Sequence, residues 1–174
     1  MDAPELLRTT LGNLHNQFDE ALQDLSLEQL HWRPLDKGNH ICFIAWHYVR
    51  TEDNVVQFVL QNRKPTLWLE GGWDQRFGLD RIAQGTGWTV EQAAALRLPS
   101  AEEWLSYQRA VWQATDAYLA SLSDADLERT VRVAAFGEIP ARQAMTTILV
   151  THGFTHLGEI HHIRSLMGLK TTAF

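Results

Sequence analysis

Apolar residues recur at every third or fourth position over four long stretches of the chain, a spacing that predicts amphipathic helices. The first stretch covers residues 3–25, where Asp2 is placed to cap the helix and Pro4 falls in its first turn. The second runs from a cap at Asn39 to about residue 62. Its inner face is expected to carry Phe43, Ile44, His47, Thr51, Asn54, Val55 and Phe58.

Two further long helices follow in the second half of the chain. Ser100 is expected to open the third helix, which extends to about Leu122. Pro140 opens the fourth, which runs to Met167 and ends at Gly168.

The connections between these helices contain smaller elements. Residues 63–88 are rich in Gly and Trp and form a long connection, which is typical of a functional loop or of one that holds short helices. The segments 26–29 and 89–92 have the sequence of capping boxes, and residues 131–139 alternate weakly, which indicates a hairpin around Gly137. We therefore predict an all-α fold, a four-helix bundle with one long crossover loop and short extra helices. No linker divides the chain, so residues 1–174 are expected to form a single domain.

Composition excludes several classes of function. The 174 residues are 45% hydrophobic and 21% charged, as in ordinary soluble proteins, and the net charge of −6 with no basic run argues against nucleic acid as a partner. No apolar stretch approaches the roughly 20 residues that span a bilayer, so no membrane association is expected. A single cysteine, Cys42, allows no internal disulfide, and the first residues do not resemble a signal peptide, so a cytoplasmic location is expected.

Two histidines interrupt the apolar stripe of the fourth helix. His152 and His156 are four residues apart, so their side chains lie on one helix face, and this face also carries Met145, Leu149, Ile160 and Ile163. The segment is not the HExxH motif of zinc proteases, because Gly153 follows the first histidine. His47 interrupts the apolar face of the second helix in the same way. Three neutral imidazoles that converge in a bundle would hold a divalent metal ion with open coordination positions, and Zn, Ni, Mn and Fe all fit such a site.

Other polar residues near this stripe have alternative interpretations. Glu159, one turn beyond His156, is a candidate catalytic residue that takes a proton from a bound water, or a fourth ligand; the alternative is an exposed acid that pairs with Arg164 or another arginine. Each histidine of the stripe could equally be an ordinary hydrogen-bonded core residue. Thr51 and Asn54 line a pocket or pack between helices.

Other histidines and the cysteine are expected to have structural rather than metal-binding roles. His40 is read as a helix-start residue, His15 and His31 as surface or loop residues, His161 as solvent-exposed and Cys42 as a small buried residue. The Trp residues of the long connection pack the structure or wall a pocket.

The chain resembles the DinB-like (DinB/YfiT) superfamily in four segments. These are WRP at 32–34, IAWHYVRTED at 44–53, PTLWLEGGWDQRFG at 65–78 and HGFTHLGEIHHIRSLMG at 152–168. The last segment is similar to that family's H-xxx-H motif followed by a G-Q-I-like tripeptide, with Glu159 where glutamine is typical. The resemblance implies a four-helix bundle, a divalent metal bound by His47, His152 and His156, and a homodimer.

The resemblance also implies a chemistry. Family members with an assigned activity are similar to transferases or isomerases that use low-molecular-weight thiols such as mycothiol or bacillithiol. The leading hypothesis is therefore a metal-dependent thiol S-transferase, in which the metal holds a thiol cosubstrate as its thiolate, the thiolate attacks a small electrophile and Glu159 steers a proton. The alternative is a non-enzymatic metal-binding stress or interaction protein. Hydrolysis with Glu159 as the base ranks third, since no second carboxylate is aimed at the site.

Overall fold

The computed structural model describes residues 2–35 and 38–171. The first helix, α1, spans Ala3–Leu22, and the Asp2 side chain caps it by accepting the N–H of Glu5 at 2.9 Å, as predicted. The helix ends before residue 25 because a separate short helix, α2 (Leu27–Leu30), begins with the capping box of Ser26.

The second long helix differs from its prediction at both ends. Helix α3 spans Ile41–Asp53, and its N-cap is His40 rather than Asn39, because the His40 Nδ1 accepts the N–H of Phe43 at 2.9 Å. The helix continues as a π-helical segment, Asn54–Val59. Phe58, expected on the inner face, is 44% exposed there. A π-helix has more residues per turn than an α-helix, so an α-helical projection misplaces the positions that follow.

The long crossover connection contains three short helices. They are α4 (Leu67–Glu70), α5 (Trp73–Phe77) and α6 (Val90–Ala95). The buried carboxylate of Asp53 accepts the backbone N–H groups at the start of α4, both at 2.9 Å, and so fixes the connection to the end of α3.

The second half of the chain completes the bundle. The elements are α7 (Ala101–Ala120), α8 (Asp124–Glu128), β1 (Thr130–Val133), β2 (Gly137–Pro140), α9 (Ala141–Ala144), a π-helical segment (Met145–Thr151) and α10 (His152–Leu166). Strands β1 and β2 form the antiparallel hairpin that was predicted. The fourth predicted helix is thus continuous over 141–166 but changes from α to π and back.

The long helices pack in a closed arrangement. Helix α1 contacts α7 and α10, and α3 contacts the same two helices from the other side. Large aromatic rings fill the core, and Trp46, Trp68 and Trp104 are fully buried. The all-α four-helix bundle is therefore confirmed. Among the described helices, none is both long and apolar enough to cross a lipid bilayer.

A buried carboxylate ties three of these helices together. Glu52 of α3 accepts hydrogen bonds from Tyr48 at 2.7 Å and from Thr115 of α7 at 2.6 Å, and it pairs with the Nε2 of His15 at 3.0 Å. The prediction that His15 lies at the surface was wrong: its ring faces Glu52 and stacks on Trp112 with a centroid distance of 3.9 Å.

Candidate metal centre

The structure brings His47, His152 and His156 together. His47 projects from the middle of α3, and the other two occupy the first two turns of α10, which packs against it. The Nε2 of His152 lies 3.2 Å from that of His47 and 2.8 Å from that of His156. All three ligand atoms lie within 4.8 Å of one another, and each side chain is half-buried.

Hydrogen bonds on the far sides of two rings decide where the ring protons are. The Nδ1 of His47 faces the backbone carbonyl of Gln84, and the Nδ1 of His156 faces a carboxylate oxygen of Glu159 at 2.7 Å. A carbonyl and a carboxylate only accept hydrogen bonds, so both Nδ1 atoms must donate. The Nε2 of each neutral ring is then unprotonated and turns its lone pair toward the cluster.

The three Nε2 atoms cannot all be hydrogen-bonded to one another. The ring protons of neutral His47 and His156 are on Nδ1, so only His152 can carry a proton on Nε2, and at most one N–H is shared among the three Nε2 atoms. The Nδ1 of His152 is buried and makes no well-formed hydrogen bond within the described part of the chain, although the Ile148 carbonyl lies near enough to influence the ring. A divalent cation among the three Nε2 atoms satisfies all of them, so the residues fit a metal ion.

Burial keeps two of the candidate ligands, His152 and His47, in their neutral form. Burial, followed by the charges that His156 and His47 would carry, lowers the pKa of His152 to about 4. Burial also lowers the pKa of His47, against the opposing effect of the Gln84 carbonyl. Because metal ligation needs the neutral imidazole, both rings are ready to bind a cation at neutral pH.

Glu159 contacts the centre from behind His156. It does not pair with Arg164, which instead makes two hydrogen bonds to Asp24 at 2.7 and 3.0 Å. The hydrogen bond from His156 lowers the pKa of Glu159, so its carboxylate is ionised and fixes the orientation of that ring. Glu159 is not among the three clustered ligands, and its place in proton transfer stays a prediction.

Sequence reasoning did not identify Gln84, whose backbone carbonyl accepts from His47. The turn before it is fixed by Asp80, whose carboxylate accepts the N–H groups of Ile82 and Ala83 at 2.8 and 2.9 Å. The residue after it, Gly85, has a φ of +82°. A backbone acceptor leaves no signal in residue identity, but Asp80 and Gly85 are residue types that favour turns, and they were available signs of an ordered loop.

The other candidate residues have structural roles outside the cluster. His40 caps α3, Thr51 donates to the His47 carbonyl at 2.7 Å, and Cys42 is buried, which raises the pKa of its thiol. His161 is half-buried rather than exposed as predicted. Asn54 is half-buried in the π-helical turn.

An open groove of about 970 Å³ lies on the side of Glu159, the hydrogen-bond partner of His156. Glu159 forms part of its wall, together with one side of α10, the start of α3 and the turn around Trp32. The tryptophans of the crossover connection take no part in this groove: Trp68 is buried in the core and Trp88 packs on Trp46.

The fold and the centre together define a class, the helical bundles that hold a candidate metal site between neighbouring helices. A family model described as DinB superfamily matches residues 11–160, and the chain belongs to that superfamily. The resemblance found in the sequence is therefore confirmed.

Solved structures show the same fold. The crystal structure of a conserved protein from Enterococcus faecalis superposes with a TM-score of 0.82 at 22% identity, and the match covers 97% of this chain and 99% of that chain. At this identity the likeness extends to the fold alone. A comparison with curated proteins finds no match.

Proposed function

We propose that this protein binds a divalent metal ion through His47, His152 and His156 and acts as a thiol-dependent transferase on small electrophiles. The observation that carries the metal assignment is the convergence of three Nε2 atoms, two of them deprotonated by hydrogen bonds on the far sides of their rings. The three-histidine set leaves coordination positions open for other molecules.

Two features support a reaction rather than a purely structural metal. The three side chains are half-buried instead of sealed in the core, and Glu159, which accepts a hydrogen bond from His156, forms part of the wall of an open groove. A bound divalent metal lowers the pKa of a coordinated thiol and so supplies the nucleophilic thiolate at neutral pH. In the transfer the thiol sulfur forms a bond to an electrophilic carbon, the thiol proton leaves, and the leaving group departs with the bonding electrons.

The residues of this chain have separate tasks in this proposal. His47 and His156 present their Nε2 atoms, while Gln84 and Glu159 hold the two rings in place. In this proposal Glu159 also takes up the thiol proton, which is supported by its contacts with both the His156 ring and the groove.

Metal content tests the first part of the proposal. After purification without chelators, the wild type should carry one divalent ion per chain and His156→Ala should carry none. His162→Ala is the matched control, because this exposed histidine of the same helix is outside the cluster and should leave the metal content unchanged. Full metal retention by His156→Ala would overturn the assignment.

A cobalt-substituted protein tests the second part. Small thiols added to it should shift the cobalt absorption bands, because a sulfur ligand changes the ligand field. Turnover of a thiol with an alkylating electrophile should then depend on the metal. If no thiol changes the spectrum, the metal has a structural role and the protein is a non-enzymatic metal-binding module.

A further inference from the structure

Helix α10 carries a glycine that the fold does not require. Gly158 lies in the interior of the helix with ordinary helical geometry, and a Cβ added there would meet no atom within 4 Å. Glycine in a helix interior costs about 1 kcal/mol relative to alanine. The missing side chain therefore has no packing reason within the described residues.

The position of Gly158 supplies a reason, because the residue lines the groove beside Glu159. A side chain at this point would project into the groove. The same groove is edged by large apolar side chains that remain exposed: Trp32 by 37%, Leu35 by 74% and Leu166 by 51%. Exposed apolar side chains around a concave surface indicate a binding site.

Charge limits what the groove can hold. Of its described lining residues, Glu159 is the one with a formal charge, and the other polar members, Asn39, Thr155 and His162, offer hydrogen bonds. Without a bound metal ion, a carboxylate in such a lining repels anions and tolerates neutral or cationic groups. A cation held by His156 and its two partners would offset part of that negative charge.

We propose that this groove binds a small organic molecule through an apolar, uncharged portion that lies against Gly158 and Trp32. The inference rests on the proposed function in one respect, since we take this molecule to be the electrophilic substrate of the metal centre. Glycine at residue 158 keeps this space open but lowers helix stability. A larger residue there should therefore weaken binding and, where it is alanine, stabilise the protein.

The test uses two fluorescent probes with the same ring system. Phenylnaphthylamine is apolar and uncharged, and anilinonaphthalene sulfonate carries an added negative charge. The wild-type protein, freed of metal with a chelator, should bind the uncharged probe at least about tenfold more tightly. Equal binding of both probes would contradict the charge argument.

Substitutions of Gly158 and Trp32 locate the probe. Gly158→Leu and Trp32→Ala should each weaken binding of phenylnaphthylamine by about tenfold or more. Gly12→Ala is the matched control, because Gly12 is also a helical glycine with nothing within 4 Å and lies outside the groove. It should gain helix stability as Gly158→Ala does, while only Gly158→Ala should also lose probe affinity.

Other outcomes would overturn the proposal. If binding is unchanged in Gly158→Leu and Trp32→Ala, the probe binds elsewhere. If Gly158→Leu converts a dimer into a monomer in sedimentation experiments and leaves probe binding unchanged, the groove is a subunit interface. Metal content is measured on the same samples before chelation. If the wild type as purified carries no metal while probe binding still follows Gly158, the proposed function is refuted and the groove assignment stands.

Discussion

At the scale of single residues, each candidate ligand is held by a different kind of neighbour. His47 donates to a backbone carbonyl and His156 to a carboxylate, whereas the ring of His152 packs edge-on against Tyr48 with a centroid distance of 5.9 Å. The first two contacts fix a tautomer and the third fixes only an orientation. Metal affinity should therefore depend most on Gln84 and Glu159, which fix the protons.

The carbonyl of Gln84 can be tested apart from its side chain. Gly85→Ala should weaken metal binding by about 10–100-fold, because its Cβ would lie 2.8 Å from Phe43 at a φ of +82° and displace the adjacent carbonyl. Gln84→Ala keeps the backbone acceptor and should bind metal like the wild type. Isothermal titration with zinc measures both.

A second variant distinguishes loss of the Gln84 carbonyl contact from a general folding defect in Gly85→Ala. Asp80→Ala removes only the two hydrogen bonds that order the turn and should weaken zinc binding in the same direction. Wild-type affinity in both loop variants would show that the carbonyl does not position His47.

The pH dependence of stability can be predicted from His40. Burial lowers its pKa to about 4, whereas the unfolded chain has a value near 6.5. Between these values the unfolded state binds more protons, so the stability that is complete above pH 6.5 is lost as the pH falls toward 4. His40→Asn replaces the capping Nδ1 with a side-chain oxygen that can accept the Phe43 N–H, and it removes the titrating ring.

Urea unfolding of the metal-free protein measures this effect. From pH 6.5 to 5.5 the wild type should lose about 1 kcal/mol more of its unfolding free energy than His40→Asn does. Parallel pH profiles for the two proteins would show that His40 does not contribute to this dependence.

At the scale of helices and strands, the candidate centre lies next to changes of helix type. One π-helical segment follows α3 directly, and the other ends at Thr151, immediately before the first histidine of α10. Such segments are frequent at functional sites. The hydrophobic period located the helices, but it could not show where six or seven residues would wind as π-helix, which is why Phe58 was misplaced.

Some features of the centre were predictable from sequence and others were not. His152 and His156 stood out because polar side chains on a buried stripe need partners, and His47 stood out for the same reason. His15 gave the same signal, because it lies between Leu11 and Phe18 on the apolar stripe of α1, but the sequence did not identify its partner Glu52 on α3. The carbonyl of Gln84 is a backbone group, so the sequence does not distinguish it from any other loop carbonyl.

Two glycines of α10 should respond to alanine in opposite ways. A Cβ at Gly153 would lie 2.4 Å from Leu14 and 2.7 Å from Tyr48, so Gly153→Ala forces α1 and α3 away from α10. We expect it to destabilise the protein by about 1–3 kcal/mol. Gly158→Ala, five residues later, should stabilise it by about 1 kcal/mol. Equilibrium unfolding in urea gives both values, and equal effects of the two substitutions would contradict the close approach seen at Gly153.

At the scale of the whole molecule, the candidate centre lies where two helices distant in sequence meet. Polar groups at other contacts between helices are paired: Arg164 of α10 donates to the Ala21 carbonyl of α1, and Thr115 of α7 donates to Glu52 of α3. The apposed imidazoles of α3 and α10 are different, because their Nε2 atoms have too few protons to pair. In the metal-free protein this contact should be weak, and a bound cation should strengthen it.

Metal should therefore stabilise the entire bundle. A ligand that binds only the native state at 100 times its Kd adds about 2.7 kcal/mol to the free energy of unfolding. For a chain of this length that corresponds to a rise in Tm of roughly 5–10 °C. Differential scanning calorimetry with and without zinc should show the rise in wild type and in His162→Ala and should show none in His156→Ala. A rise that persists in His156→Ala would mean that the stabilising metal binds elsewhere, because His47 and His152 alone are too few donors to hold the ion tightly.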